Sequence, residues 1–391
     1  MRVGVPKEIK THEYRVGLLP GAVRELTLRG HEVWVQSGAG AAIGYGDEAY
    51  ASAGARVVEG PEALYAAAEL IVKVKEPQPQ EWGWLGPRHT LFAYLHLAAD
   101  AELTRALLAS GAVCIAFETV TDQRGGLPLL APMSEVAGRM AVQAAAACLE
   151  RERGGRGILL GGVPGVAPGR VVVLGGGVAG SNAVQMALGL GAEVVVLDRD
   201  LDRLRALAAR FGPALRCLYA TQEEVERQVL EADVVIGAVL VPGAAAPKLV
   251  PEELVRRMKR GAVVVDVSID QGGCVATSRP TTHADPTFIA HGVVHYCVTN
   301  MPGAVPHTST YALNNALLPL VLALAERGTA GALAADPHLR AGLNIWRGRI
   351  TCRPVAESLG LPYLSPEEAL AREGAGIGAE PADADQKGGG R

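Results

Sequence analysis

Arg15, Lys75, His96 and Asp270 are the polar residues of this 391-residue chain whose surroundings could give them chemical work. Arg15 sits in the stretch Glu13-Tyr-Arg-Val-Gly, where a guanidinium can clamp a carboxylate through two parallel hydrogen bonds. Lys75 closes the run Leu70-Ile-Val-Lys-Val-Lys, and an ammonium there can reach an anion or a carbonyl oxygen. His96 follows Thr90-Leu-Phe-Ala-Tyr-Leu, and imidazole is the side chain best suited to move a proton near neutral pH. Asp270 follows Ala262-Val-Val-Val-Asp-Val-Ser-Ile and could hold a proton or activate a water. Each alone also fits a plainer role: a solvated loop arginine, an edge lysine, a satisfied histidine, a turn or helix-capping aspartate. Glu118, in Ile115-Ala-Phe-Glu-Thr, reads as structural. Together the four make a carboxylate clamp, a carbonyl or imine polariser, an acid/base group and a water activator, the set needed to oxidise an α-substituted small acid.

These residues matter only if the chain delivers them to one place, and glycine spacing indicates where. Val171-Val-Val-Leu174 is the unbroken apolar run of a strand buried on both faces, and it stops at Gly175, Gly177 and Gly180, spaced G-x-G-x-x-G. The first allows a tight turn, the second lets a pyrophosphate approach the backbone, and the third lets the next helix pack on its strand. The amino end of that helix then faces the phosphates. A second strand, Glu193 to Leu197, ends in Asp198, about 20 residues on, an acid that can bind ribose hydroxyls and repel a 2′-phosphate, which favours NAD over NADP. Further strands are expected at 232–237, 262–267 and 293–298, so ligands belong at Ala238-Val-Leu and at Val267-Ser-Ile-Asp270. Before this region, strands at 3–5, 32–36, 70–74, 90–93 and 113–116 alternate with helical patterns at 22–29 and 101–108. The fold class is α/β, two Rossmann-like domains with doubly wound parallel sheets. Met133 to Arg153 reads as a long alanine-rich helix between them, and Ser309 to Arg327 as helical.

Bulk composition narrows the partners. Hydrophobic residues make up 49 % and aromatics 4 %, so the core is built from Ala, Val and Leu. A net charge of −4 supplies no attraction to nucleic acid or to an anionic membrane, which leaves small molecules. Cysteines 114, 148, 217, 274, 297 and 352 lie far apart, as free thiols in a reducing cytoplasm would. The start Met1-Arg-Val-Gly-Val-Pro lacks a signal-peptide core, and the apolar run Ala316 to Ala325, interrupted by Pro319, is too short to span a bilayer. A soluble cytoplasmic protein is expected.

The stretches Val3-Gly-Val-Pro-Lys-Glu8, Leu95-His-Leu-Ala-Ala-Asp100, Leu174-Gly-Gly-Gly-Val-Ala-Gly180, Asp270-Gln-Gly-Gly-Cys274, Thr277-Ser-Arg-Pro-Thr-Thr-His283 and Asn300-Met-Pro-Gly-Ala-Val-Pro306 resemble the NAD-dependent L-alanine dehydrogenases. The related first domain of proton-pumping transhydrogenase shares the opening motif. The likeness runs from residue 1 to about 371. It implies reversible oxidative deamination of L-alanine to pyruvate and ammonium, with Arg15 and Lys75 binding substrate and His96 and Asp270 as the acid/base pair. Implied NAD contacts, beyond the glycines and 267–270, are Ser134, Val178, Ala179, Asp198, Val239, Leu240, Arg279 and the segment Val298, Thr299, Asn300, Met301. Where the family places a cofactor-touching serine, this chain has Ala220. Some members hold a divalent ion through a glutamate and a histidine. The matching positions here are Glu118 and Arg327, so no metal is expected. The resemblance also implies a homohexamer, and a dinucleotide domain (129–305) inserted into a substrate domain made of 1–128 and 306–371; 372–391, poor in apolar residues, is expected to be a disordered tail. Leu130 and Met133, at the junction, are candidates to line a pocket sized for a methyl group. The alternatives are an NAD(H)-binding unit that passes hydride to a partner subunit and an NAD-sensing module without catalysis.

Overall fold

A computed structural model describes residues 1–239 and 246–374. Two sheets organise them. The first contains β1 (Arg2–Val5), β2 (Glu32–Gln36), β3 (Arg56–Val58), β4 (Leu70–Val72), β5 (Thr90–Ala93) and β6 (Val113–Ala116). The second contains β7 (Arg170–Leu174), β8 (Glu193–Asp198), β9 (Leu215–Tyr219), β10 (Val234–Gly237), β11 (Val263–Asp266), β12 (Thr287–Ala290) and β13 (Val293–Tyr296). The chain then returns to the first sheet with β14 (Leu343–Trp346) and β15 (Arg349–Ile350). The spatial orders are β15-β14-β6-β5-β4-β1-β2-β3 and β12-β13-β11-β10-β7-β8-β9. In each, the order reverses beside the first strand of its unit, between β1 and β4 and between β7 and β10. Those two points open crevices at the strands' carboxyl ends.

The sheets are mixed, not purely parallel as expected. β12 runs antiparallel to β13, β14 to β6, and β15 to β14. Two of these edges are hairpins closed by two-residue turns, His291-Gly292 and Arg347-Gly348, in which all four residues have positive φ. That geometry matches strand twist and is the one a glycine at the second turn position favours.

Each strand alternates between two apolar layers. In the first sheet Leu70, Val72, Phe92 and Ile115 face the helix Pro306–Ala335 through Leu313, Leu317, Val321 and Leu324, while Ile71, Leu91 and Cys114 face Leu64, Leu103 and Leu107. In the second, Val171, Val173, Val194 and Ile236 pack on alanines of the helices Ala131–Cys148 and Val178–Gly189. These two helices meet at backbone distance: a Cβ on Gly138 would stand 2.0 Å from the Ala179 carbonyl oxygen. All six cysteines are free.

Three expectations about element lengths are corrected. The helix Pro306–Ala335 has 30 residues, broken at Gly328, and is long and apolar enough by length and composition to cross a bilayer. Its buried leucine stripe lies in the first core. The alanine-rich helix stops at Cys148, not Arg153. Residues 372 to 374, expected to begin a disordered tail, complete the helix Pro366–Gly374. The rest of that tail lies outside the described residues.

Candidate functional site

The crevice between β7 and β10 has the shape the glycine spacing requires. Gly175 has φ +94°, and a Cβ there would lie 2.6 Å from the Ala238 carbonyl oxygen. A Cβ on Gly180 would lie 1.8 Å from the carbonyl oxygen of Gly175. Gly177 differs: it precedes the helix Val178–Gly189, and a Cβ there meets no atom of the described residues within 4 Å. Among the described residues no side chain caps this helix, so the N–H groups of Val178, Ala179 and Gly180 are available to an anion.

Asp198 ends β8 with 9 % exposure. It accepts N–H groups from Gly176 (2.7 Å) and Asp200 (2.9 Å), and Arg203 Nη1 lies 3.1 Å away. Burial alone would raise its pKa. The two N–H donors and the Arg203 guanidinium outweigh that and hold it below the ordinary aspartate range, so it is ionised at neutral pH. Arg199 instead donates to the Ala220 carbonyl.

Around this crevice, the Val239 N–H donates to Ser268 Oγ (2.9 Å), in the turn Val267–Gln271 that contains Ile269 and Asp270. Thr281 pairs with Val298, and Arg279 stacks on Phe288 at 4.2 Å. Ser134 is half-buried one turn before Gly138. Thr299 is half-buried and Met301 buried. Leu240 lies outside the described residues.

The other crevice, between β1 and β4, receives the substrate candidates. Arg15 follows β1 and is 2 % exposed, not solvated. Glu13 takes its Nε at 2.7 Å and its Nη2 at 2.6 Å, and Asn300 Oδ1 takes Nη2 at 2.7 Å. Asn300 arrives from the far end of the second unit in a left-handed conformation (φ 59°, ψ 40°), and its Nδ2 also donates to Glu13 Oε2 at 3.0 Å. Among the described residues, the remaining corner, Nη1, has its hydrogen bond to Met133 Sδ at 3.0 Å. Sulfur is a weak acceptor, so this is the least well paired corner of the guanidinium. For Glu13, burial pushes the pKa up, and the bonds from Arg15 and Asn300 overcome it and bring it to about 2.

Lys75, past β4, is half-buried. Burial first, then the charges of Arg15 and Lys10, lower its pKa, against opposing pulls from Glu76 and Asp270. The exposed Asp270, on the other sheet, is thus within electrostatic range of Lys75. His96 follows β5 in a left-handed conformation (φ 49°, ψ 39°), its ring 51 % exposed and parallel to Tyr94 at 6.0 Å. Glu118 accepts its backbone N–H at 2.6 Å and stands 3.9 Å from Nδ1.

Arg15, Lys75 and His96 thus follow β1, β4 and β5 at one end of the first sheet, and Asp270 follows β11 of the second, with the Asn300–Arg15 bond linking the two units. Glu118 shares that end with them, whereas Arg327 lines a cavity of about 340 Å³ with His89 and Thr90, at the amino ends of β5 and β6. The two positions matched to a metal pair are at opposite ends of the chain's own sheet. Sequence reasoning missed the Glu13 pairing, although Glu13 stands two residues from Arg15. It also took Asn300 for a cofactor contact alone, without its side-chain link to Arg15.

Comparison with known proteins places the whole described fold in one family. The family models described as alanine dehydrogenase/PNT, N-terminal domain and C-terminal domain match residues 4–137 and 141–353. The chain is similar to an alanine dehydrogenase of Halomonas elongata, 58 % identical over 93 % of this chain and 98 % of that one. It is also similar to one of Bacillus subtilis, 52 % identical over 97 % and 100 %. Among solved structures, an L-alanine dehydrogenase superposes with TM-score 0.89 at 51 % identity, over 92 % of this chain and 99 % of that one. A transhydrogenase from Sinorhizobium meliloti shares the fold, with TM-score 0.76 at 24 % identity over 90 % and 99 %.

Proposed function

Because the chain belongs to the alanine dehydrogenase/PNT family, we propose that it catalyses the reversible oxidative deamination of L-alanine to pyruvate and ammonium with NAD. The observation that supports the reading is the bond from Arg15, beside β1, to Asn300 of the second unit, with Lys75 and His96 at neighbouring strand ends and a dinucleotide-type glycine turn after β7. The residues present fit NAD: the open face of Gly177, the uncapped N–H groups of residues 178–180, and the ionised Asp198. Bound there, NAD would supply the acceptor for the hydride of the substrate Cα.

In this reading the Nη1 corner of Arg15 holds the substrate carboxylate, with Glu13 and Asn300 fixing the other donors so that the clamp is already oriented. Lys75 donates to the oxygen that becomes the carbonyl. His96 or Asp270 takes the proton of the water that attacks the imine. Glu118, which accepts the His96 backbone N–H at 2.6 Å, fixes the backbone from which the imidazole reaches. Met133 limits the space beside the clamp, which suits a methyl side chain. Ser134, Val239, Val267, Ser268, Ile269, Arg279, Val298, Thr299 and Met301 are proposed cofactor contacts; the Val239–Ser268 bond and the close approach of the Ser134 helix to Ala179 support this.

The domain division proposed is 1–128 with 306–371 around an inserted 129–305, which the sheet membership of β1–β6, β14 and β15 supports. A cytoplasmic homohexamer completes the proposal. The test is NADH absorbance with purified protein, NAD and L-alanine at alkaline pH. NADH growth that His96→Ala abolishes is expected, and protein that binds NAD yet makes no NADH from alanine would refute the reading.

A further inference from the structure

The opening motif Val3-Gly-Val-Pro-Lys-Glu8 ends in a residue that the chemistry above does not use. Glu8 is 7 % exposed, and its two oxygens face different partners. Oε1 accepts the backbone N–H groups of Val74 (2.7 Å) and Lys75 (3.3 Å). Oε2 lies 3.2 Å from Nζ of the fully buried Lys73. Lys73 in turn bonds Glu81 Oε1 at 2.8 Å, where the Tyr65 hydroxyl also donates at 3.0 Å. Glu81 Oε2 accepts the Gln78 N–H at 2.7 Å. Lys10 pairs with Glu76 just outside. The chain is therefore held immediately before, at and after Lys75.

This is an expensive way to hold a strand end. Two carboxylates and an ammonium are removed from water, and apolar residues of similar size commonly give as much stability. An apolar side chain in place of Glu8 could not accept two successive N–H groups where β4 leaves its ladder. Placement at that point matters because a lysine ammonium hangs on four rotatable bonds and is aimed no better than its Cα. A slip of about 1 Å at such a group can cost about 100-fold in rate.

We propose that Glu8 is the positioning residue of Lys75: its carboxylate fixes the backbone from which Lys75 reaches the substrate, so the opening motif serves the reaction without touching substrate. The inference rests on the assignment of Lys75 to the substrate.

Three variants of the full chain, assayed in pyruvate reduction with ammonium and NADH, test it. Glu8→Asp keeps the charge and withdraws the oxygens by one methylene. It should lower kcat/KM for pyruvate by about 100-fold, with NADH binding by fluorescence unchanged. Glu8→Gln keeps an oxygen for the two N–H groups and loses the charge, so it should retain most of kcat/KM even while melting lower. A glutamine variant as impaired as the aspartate one would make the charge, not backbone placement, the operative feature and overturn the proposal. So would an aspartate variant with parental kinetics. If Glu8→Asp does not fold, the glutamine variant decides alone: catalysis kept at reduced stability supports the proposal, catalysis lost refutes it. Lys75→Met separates the premise. If that variant still reduces pyruvate, the assignment of Lys75 fails; if it is inactive while Glu8→Asp is normal, only the positioning role fails.

Discussion

Replacing Glu13 with glutamine has a consequence that can be worked from the distances. The amide would put either a second donor or a single acceptor where Glu13 Oε2 now receives both Arg15 Nη2 (2.6 Å) and Asn300 Nδ2 (3.0 Å). Arg15, 2 % exposed, cannot turn its charge to water. Leaving a buried ion without its partner costs about 3–5 kcal/mol. The depression of the Glu13 pKa from 4.5 to about 2 gives a second figure, about 3 kcal/mol. Because the folded value is the lower one, this stabilisation is full above about pH 5 and is lost as pH falls toward about 2. Glutamine has no such contribution to lose, so the gap between parent and variant closes on acidification, to about half by pH 3. Urea unfolding at pH 7 and at pH 3 measures both ends. The expected loss is about 3 kcal/mol at pH 7, with a lower kcat/KM for pyruvate as the clamp loses its orientation. A loss below about 0.5 kcal/mol, typical of an inert surface change, or a gap independent of pH, would refute the argument that Glu13 sits there as a buried counter-ion.

Gly177→Ala should melt like the parent, since its Cβ meets no described atom within 4 Å, yet bind NAD at least about tenfold more weakly by filling the phosphate approach. Gly180→Ala, 1.8 Å from a carbonyl oxygen, should destabilise the fold itself; equal melting of the two would contradict the distinction. Asp198→Asn keeps an acceptor for Gly176 while removing the charge that balances Arg203, so the ratio of NADP to NAD use should rise by about tenfold in steady-state assays. Met133→Ala should improve 2-oxobutyrate against pyruvate by about tenfold, one methylene of pocket space. An unchanged ratio would remove Met133 from the methyl pocket.

What the sequence disclosed follows physical range. β5 and β6 were legible residue for residue because a buried parallel strand is a continuous apolar run. The phosphate turn was legible because three glycines each answer a local steric demand. β12 and β15 do not stand out in the sequence, although His291-Gly292 and Arg347-Gly348 are the kind of turn that announces a hairpin, because these two strands are themselves short and unpatterned. β4 was read two residues too long. The Val74 N–H, apolar-run neighbour though it is, goes to Glu8, 66 residues away in sequence. In the site, side-chain types identified Arg15, Lys75, His96 and Asp270. What orients them did not show: Asn300 reaches Arg15 across 285 residues, and no local pattern encodes such a contact.

Transfer of the Cα hydrogen is the most direct measure of the whole account. With L-alanine deuterated at Cα and unlabelled NAD, the protein should yield pyruvate and NADH carrying the deuterium at nicotinamide C4, by NMR, in equal amounts. Label released to water, or pyruvate formed without labelled NADH, would contradict hydride transfer between the two crevices.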